Sequence, residues 1–245
     1  MSSGAPPRPS SRYALVTGAA AGLPRGIALA LARDGYRIAF TYRPGGTPPD
    51  ATLALVRAHD SQALAIPADF ARADAAGAAV AAAQQARGPL DVVIHGAGPM
   101  IVRRFARSSI EDYRAMVDAN LGSAVALAFA VLPGMRERRF GRLVFFGMSG
   151  SSVTQPARGL ALYGAAKAGL VAFARTLALE EAASGISVNV IEPGDIRDKD
   201  ADRAGARGGS WEDVAAAARF AIDDDNGFLN GMVLSVNGGS TEPHE

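Results

Sequence analysis

Residues 13–28 read YALVTGAAAGLPRGIA. An apolar run closes on Gly18, small residues carry the chain to Gly22, and a helix then begins that runs to Asp34-Gly35. Glycines at a strand–turn–helix junction adopt φ angles other residues avoid, and they let a phosphate approach backbone amides at the positive end of the helix. Gly18, Ala21, Gly22 and Leu23 are the candidates for that contact. Pro24 stands where a third glycine is common. Proline suits the first helical turn, because the N–H it lacks has no partner within the helix, and the amide of Leu23 stays free. The stretch reads as a phosphate cradle. That signal is weak alone, so the rest of the chain must carry it.

Working outward, the same unit recurs. Further apolar runs stand at 37–43, 63–69, 90–98, 141–147, 186–194 and 232–239, separated by helical patterns at about 50–59, 75–86, 109–135, 160–183 and 211–222. Uniformly apolar strands alternating with helices imply a parallel sheet covered on both faces. The expected fold is α/β: one doubly wound domain over 12–245 with seven strands, after a flexible Pro/Ser-rich tail at 1–11. Ligands of such sheets bind beyond the carboxyl ends of the strands, so the residues just after each strand are the ones to read for chemistry.

Composition narrows the classes. The 245 residues suit one large α/β domain. The absence of cysteine removes disulfides and thiolate metal sites. The three histidines, His59, His95 and His244, are too scattered to suggest a metal centre. A net charge of +1 with dispersed basic residues points away from nucleic acid. The N-terminus lacks the apolar core of a signal peptide, and no apolar run approaches the ~20 residues of a membrane span. The expectation is a soluble cytoplasmic protein with no membrane partner.

Two strand ends and one helix bear on chemistry. The second strand ends in FTYRPG (40–45) with no acid and with Arg43 available, which favours NADP(H) over NAD(H), since arginine accommodates a 2′-phosphate where a carboxylate would hold ribose hydroxyls. NAD(H) stays a second option. Asp69, followed by Phe70, either reaches an adenine amino group or caps the next helix. All but two of the 25 basic residues are arginine, so a lysine stands out. Lys167 closes YGAAK (163–167), four residues from Tyr163 and on the same helix face. A nearby ammonium favours a phenolate and would lower the tyrosine pKa toward neutrality.

With these segments in view, TGAAAG (17–22), HGAG (95–98), Asn120 in DANLGS, YGAAKAG (163–169), VNVIEPG (188–194) and NGMVLSVNGG (230–239), the chain resembles a short-chain dehydrogenase/reductase over nearly its whole length, and is similar to 3-oxoacyl thioester reductases. The resemblance implies hydride transfer between NADP(H) or NAD(H) and a small carbonyl or alcohol, with Tyr163 as proton donor or acceptor. It implies that Lys167 binds the nicotinamide ribose, and that Asn120 holds its helix and a relay water. It also places cofactor contacts at Gly96, Ala97, Gly98, Pro193, Gly194 and Ile196, and implies a homo-oligomer, tetramer or dimer, built through the helices at 109–135 and 160–183 and the last strand.

The departures are as informative. Relatives place a serine thirteen residues before the tyrosine; here that position is Gly150, flanked by Ser149 and Ser151. Ser149, nearer the strand end, is preferred, with Ser151 as the alternative; its role is to polarise a substrate carbonyl. His95 is read as structural. Asp198 stands near a place where relatives offer a threonine to the cofactor, and a carboxylate would repel phosphate there, which leaves Ile196 to act through its backbone. The segment 195–210 corresponds to a substrate lid and is short and charged, implying an open site. Arg103, Arg104 and Arg107 either bias the entrance toward anions or are solvated. A second reading, a regulator or redox sensor that has kept the fold but lost turnover, rests on Pro24, Asp198 and the displaced serine.

Overall fold

The computed structural model describes residues 12–196 and 209–239. The expected tail at 1–11 and most of the charged segment after Gly194, Asp198 included, lie outside them. Seven strands form the sheet: β1 (Tyr13–Thr17), β2 (Arg37–Tyr42), β3 (Leu64–Pro67), β4 (Val92–His95), β5 (Gly141–Phe146), β6 (Ile186–Pro193) and β7 (Val233–Val236). All pair in parallel in the order β3-β2-β1-β4-β5-β6-β7. The chain starts in the middle, winds to one edge, and returns to the other side of β1. Between β1 and β4, where the winding reverses, the following loops diverge and leave a crevice.

Alternation along the strands sends side chains to two cores. Tyr13 and Leu15 of β1 join one core with α3 (Ala75–Arg87), α5 (Ser123–Arg138) and α6 (Ala161–Glu181). Ala14 and Val16 join the other with α1 (Gly22–Arg33), α2 (Asp50–Arg57) and α7 (Trp211–Ile222). Both faces of the sheet are therefore dry, which is why its strands read as apolar throughout. The alanine-rich helices come close to their neighbours; at Gly26 of α1 an added Cβ would stand 2.7 Å from Cδ2 of Trp211, so α7 docks where α1 has no side chain.

Three expectations need correction. The stretch at 109–135 is not one regular helix: α4 (Ile110–Val117) passes through a π-helical turn, Asp118–Gly122, into α5. Asn120 explains the break, since its side-chain amide donates to the Met116 and Pro99 carbonyls, both at 3.0 Å, and so enters the backbone ladder. β4 stops at His95 rather than Gly98, because the amides of Gly96 and Ala97 turn off the ladder to the Thr17 hydroxyl, each at 3.1 Å. Finally, two helical stretches, 110–138 and 161–184, are long and apolar enough to cross a membrane by length and composition. In this fold their apolar faces, with Leu127 and Val131 on one and Leu170 and Ala174 on the other, are buried against the sheet.

Candidate active site

The crevice is built from backbone. Gly18 has φ +72°, and a Cβ there would stand 3.0 Å from the Ala97 Cα; only glycine lets the β1 and β4 loops approach so closely. The Gly18 amide is held by the Thr41 hydroxyl at 3.0 Å and that of Ala19 by the Thr41 carbonyl at 2.9 Å. Ala21 is the N-cap of α1 and has no side chain with which to cap it, so the first amides of the helix, at Gly22 and Leu23, are left for something else to satisfy. Leu23 packs its side chain into the second core. Pro24 lays its ring against Gly96.

From this loop a groove of about 540 Å³ runs across the ends of β1, β2, β3 and β4, lined by Gly18, Ala21, Arg43, Asp69, Phe70 and Gly96 to Gly98 among the expected residues, and by Thr41 and Thr47, which the sequence reading missed. A cradle with glycines where side chains would collide fits an extended dinucleotide. Arg43 is exposed and has no acidic partner among the described residues. Asp69 does not cap α3, whose N-cap is Asp74; its carboxylate instead accepts the Ala71 amide at 3.2 Å in a tight turn. The Phe70 ring is buried and meets His95 edge-on at 5.4 Å.

Beneath the groove lies a buried chain of hydrogen bonds. The Ser123 hydroxyl donates to the Ala119 carbonyl at 2.7 Å, so it must accept from His95 Nε2 at 2.8 Å. Nδ1 of His95 then accepts the Thr17 hydroxyl proton, also at 2.8 Å. Burial, with the Lys167 charge as a smaller cause, pushes His95 down to about 3. A neutral ring thus ties the ends of β1 and β4 to the π-helical turn.

That turn carries Asn120, buried beside Gly98, with its Oδ1 left without a hydrogen-bond partner among the described residues. Tyr163 and Lys167 stand together on α6. Lys167 is buried, donates from Nζ to the Phe146 carbonyl at the end of β5 at 2.7 Å, and lies 5.5 Å from the centre of the Tyr163 ring. Burial lowers the Lys167 ammonium to about 8. The expected depression of the phenol does not appear: burial raises Tyr163 to about 12, and desolvation outweighs any help from the ammonium. The phenol keeps its proton at neutral pH, the form that can donate.

The two candidate serines have different surroundings. Ser151 is buried, accepts the Met148 amide at 3.1 Å, and donates to the Glu192 carboxylate at 2.7 Å. Ser149 is half-buried at the end of β5, and its hydroxyl has no hydrogen-bond partner among the described residues. At the end of β6, Pro193 pairs with Val236, and the Gly194 amide donates to the Val236 carbonyl at 3.0 Å. A Cβ on Gly194 would stand 2.7 Å from that of Asn237. Ile196 bridges to Gly209, drawing together the two ends of the segment between them. Of the three arginines after β4, Arg103 is paired with Asp112 at 2.6 Å, and all three line a hollow of about 790 Å³ with Val102 and Ala106.

Among these, Glu192 was legible and went unread: a lone carboxylate within the apolar run VNVIEPG needs buried donors to sit there. Thr17, Thr41 and Ser123 had no such signal, since hydroxyls at strand ends and helix starts are commonplace.

Comparison with known proteins places this fold in a family. The model of the short chain dehydrogenase family matches residues 12–205. The 3-oxoacyl-(acyl-carrier-protein) reductase of Synechocystis sp. is 31% identical over 241 residues, covering 94% of this chain and 97% of its own. The acetoin dehydrogenase of Enterobacter cloacae superposes with a TM-score of 0.86 at 26% identity, covering 93% of this chain and 94% of its own. A blue fluorescent protein from a metagenomic library, solved in complex with NADPH, superposes with a TM-score of 0.85 at 29% identity, covering 94% of this chain and 98% of its own.

Proposed function

Because the chain belongs to the short-chain dehydrogenase family, its chemistry is oxidation and reduction at carbonyl and alcohol groups, and we propose that it is an NADP(H)-dependent carbonyl reductase in which Tyr163 supplies the proton. The observation that carries this reading is a phenol that holds its proton beside a buried ammonium, on the helix that follows β5. When bound, the dinucleotide supplies the hydride. Gly18, Ala21, Gly22 and Leu23 seat its pyrophosphate on the open end of α1, Asp69 and Phe70 flank the adenine, and Gly96, Ala97 and Gly98 form the floor. Arg43, with no acid to engage it among the described residues, takes the 2′-phosphate that distinguishes NADP(H) from NAD(H).

At the reacting end, Tyr163 donates its proton to the carbonyl oxygen as hydride arrives, and Ser149 hydrogen-bonds the same oxygen, stabilising the charge that develops there. Lys167 keeps a positive charge under the phenol and binds the ribose. Asn120 holds the π-helical turn against Gly98. Pro193, Gly194 and Ile196, fixed on β7 and on Gly209, present backbone to the nicotinamide end. The similarity to 3-oxoacyl-(acyl-carrier-protein) reductases supports 3-oxoacyl thioesters among the substrates. Phe129 on α5 and Leu179 on α6 stand exposed at 76% and 80%, which supports self-assembly through these two helices.

The test is NADPH oxidation against ketones, aldehydes and acyl thioesters. Turnover of at least one class, lost in Tyr163→Phe, is the expected result; no oxidation with any class defeats the reading.

A further inference from the structure

We propose that Glu192 is a positioning residue that decides which serine serves the reaction, by withholding Ser151 and Ser152 and leaving Ser149. This rests on the hydride-transfer reading above and goes beyond it by naming what selects the carbonyl-binding hydroxyl.

Glu192 is the next-to-last residue of β6, just before Pro193, and is 1% exposed. One carboxylate oxygen accepts the Ser151 hydroxyl and the Ser152 amide, each at 2.7 Å; the other accepts the Ser152 hydroxyl at 3.1 Å. A serine has a single proton to give. Those of Ser151 and Ser152 are both spent on Glu192, and the Ser151 oxygen also accepts the Met148 amide. Neither hydroxyl has a proton left for a substrate oxygen. The Ser149 hydroxyl, with no partner among the described residues, does.

The surrounding backbone is shaped to this clamp. A Cβ on Gly147 would stand 2.9 Å from both Cγ of Glu192 and Oγ of Ser151, so only glycine lets the end of β5 pass over it. Gly150 has φ +79° and packs against Gln155, completing the turn between the free serine and the bound ones. A buried carboxylate with no cation among its partners in the described residues is costly unless several donors satisfy it. Three do, and all three belong to the one loop that bears the candidate serines.

The experiment measures NADPH-dependent reduction of diacetyl, ethyl acetoacetate, benzaldehyde and an acetoacetyl thioester by the wild-type protein and by S149A, S151A, S152A, E192Q and the double variant E192Q/S149A. NADPH affinity by fluorescence and thermal melting are followed alongside. Removing a donor that stabilises an oxyanion lowers kcat by about 10²–10³, so S149A is expected to lose about 100-fold or more in kcat with NADPH affinity kept, and S151A and S152A each less than tenfold. E192Q replaces one acceptor with a donor and is expected to lower kcat at least tenfold. That loss should vanish in the S149A background, because the clamp on Ser151 and Ser152 serves the reaction only by fixing the loop that presents Ser149. A loss in S151A equal to or greater than that in S149A overturns the proposal, as do E192Q and S149A losses that multiply. If E192Q fails to fold, the order of S149A and S151A decides. A wild-type protein that reduces none of the four carbonyls removes the hydride-transfer reading, and this inference with it.

Discussion

The Pro24 ring fills the volume that a side chain at Gly96 would need, with Pro24 Cβ 3.0 Å from where a Cβ on Gly96 would stand. The proline in the glycine loop and the glycine after β4 are thus one packing unit, and the loop that lacks its third glycine is closed by contact instead of left open.

Gly96→Ala should therefore overpack this junction and destabilise the protein by about 1–3 kcal/mol. Pro24→Gly should relieve most of that cost when the two are combined. Denaturant melts of the two single variants and the double variant measure the coupling; additive losses would show that the ring and the glycine do not share space.

Tyr163→Phe keeps the ring and deletes the proton. General acid catalysis contributes about 10²–10⁴-fold, so kcat for carbonyl reduction should fall by at least ~100-fold while NADPH affinity, read by fluorescence titration, stays within about twofold. Retained turnover would take Tyr163 out of its role.

Arg43→Ala should erase the preference for NADPH over NADH. A hydrogen bond to a charged group contributes about 1.5–3 kcal/mol, so the wild-type protein should bind NADPH roughly ten- to a hundredfold more tightly than NADH. Equal affinities before mutation would end the assignment.

His95 predicts an acid limit to stability. Its folded pKa, near 3, lies below the value of about 6.5 expected in the unfolded chain. Between these values the unfolded chain binds the proton and the folded one does not. Stability from this residue is therefore complete above about pH 6.5 and lost as pH falls toward 3, by roughly 5 kcal/mol across the whole window. His95→Asn, which has no such titration, should flatten the dependence of unfolding free energy on pH in that range. An unchanged slope would assign acid sensitivity to other groups.

The sequence and the fold divide the explanation along a physical line. Strand and helix identity, their alternation, and the pairing of Tyr163 with Lys167 follow from local periodicity and from one helical turn's spacing, so residues 13–28 and 163–167 fixed the layered parallel architecture and the chemistry to look for. The π-helical turn did not follow, because one inserted residue at Asn120 barely disturbs the apolar pattern on either side.

The phenol's environment was likewise illegible. Spacing brings an ammonium near Tyr163, yet desolvation is a sum over everything packed around the ring, and it wins. The choice between Ser149 and Ser151 was open for the same reason: twelve or fourteen residues from Tyr163 are equally good in a loop whose path is unknown. Only folding β6 alongside β5 carries the Glu192 carboxylate, some forty residues away in sequence, to the one serine and not the other. Local spacing is written along the chain; hydrogen bonds and burial are settled by what the folded sheet brings beside it.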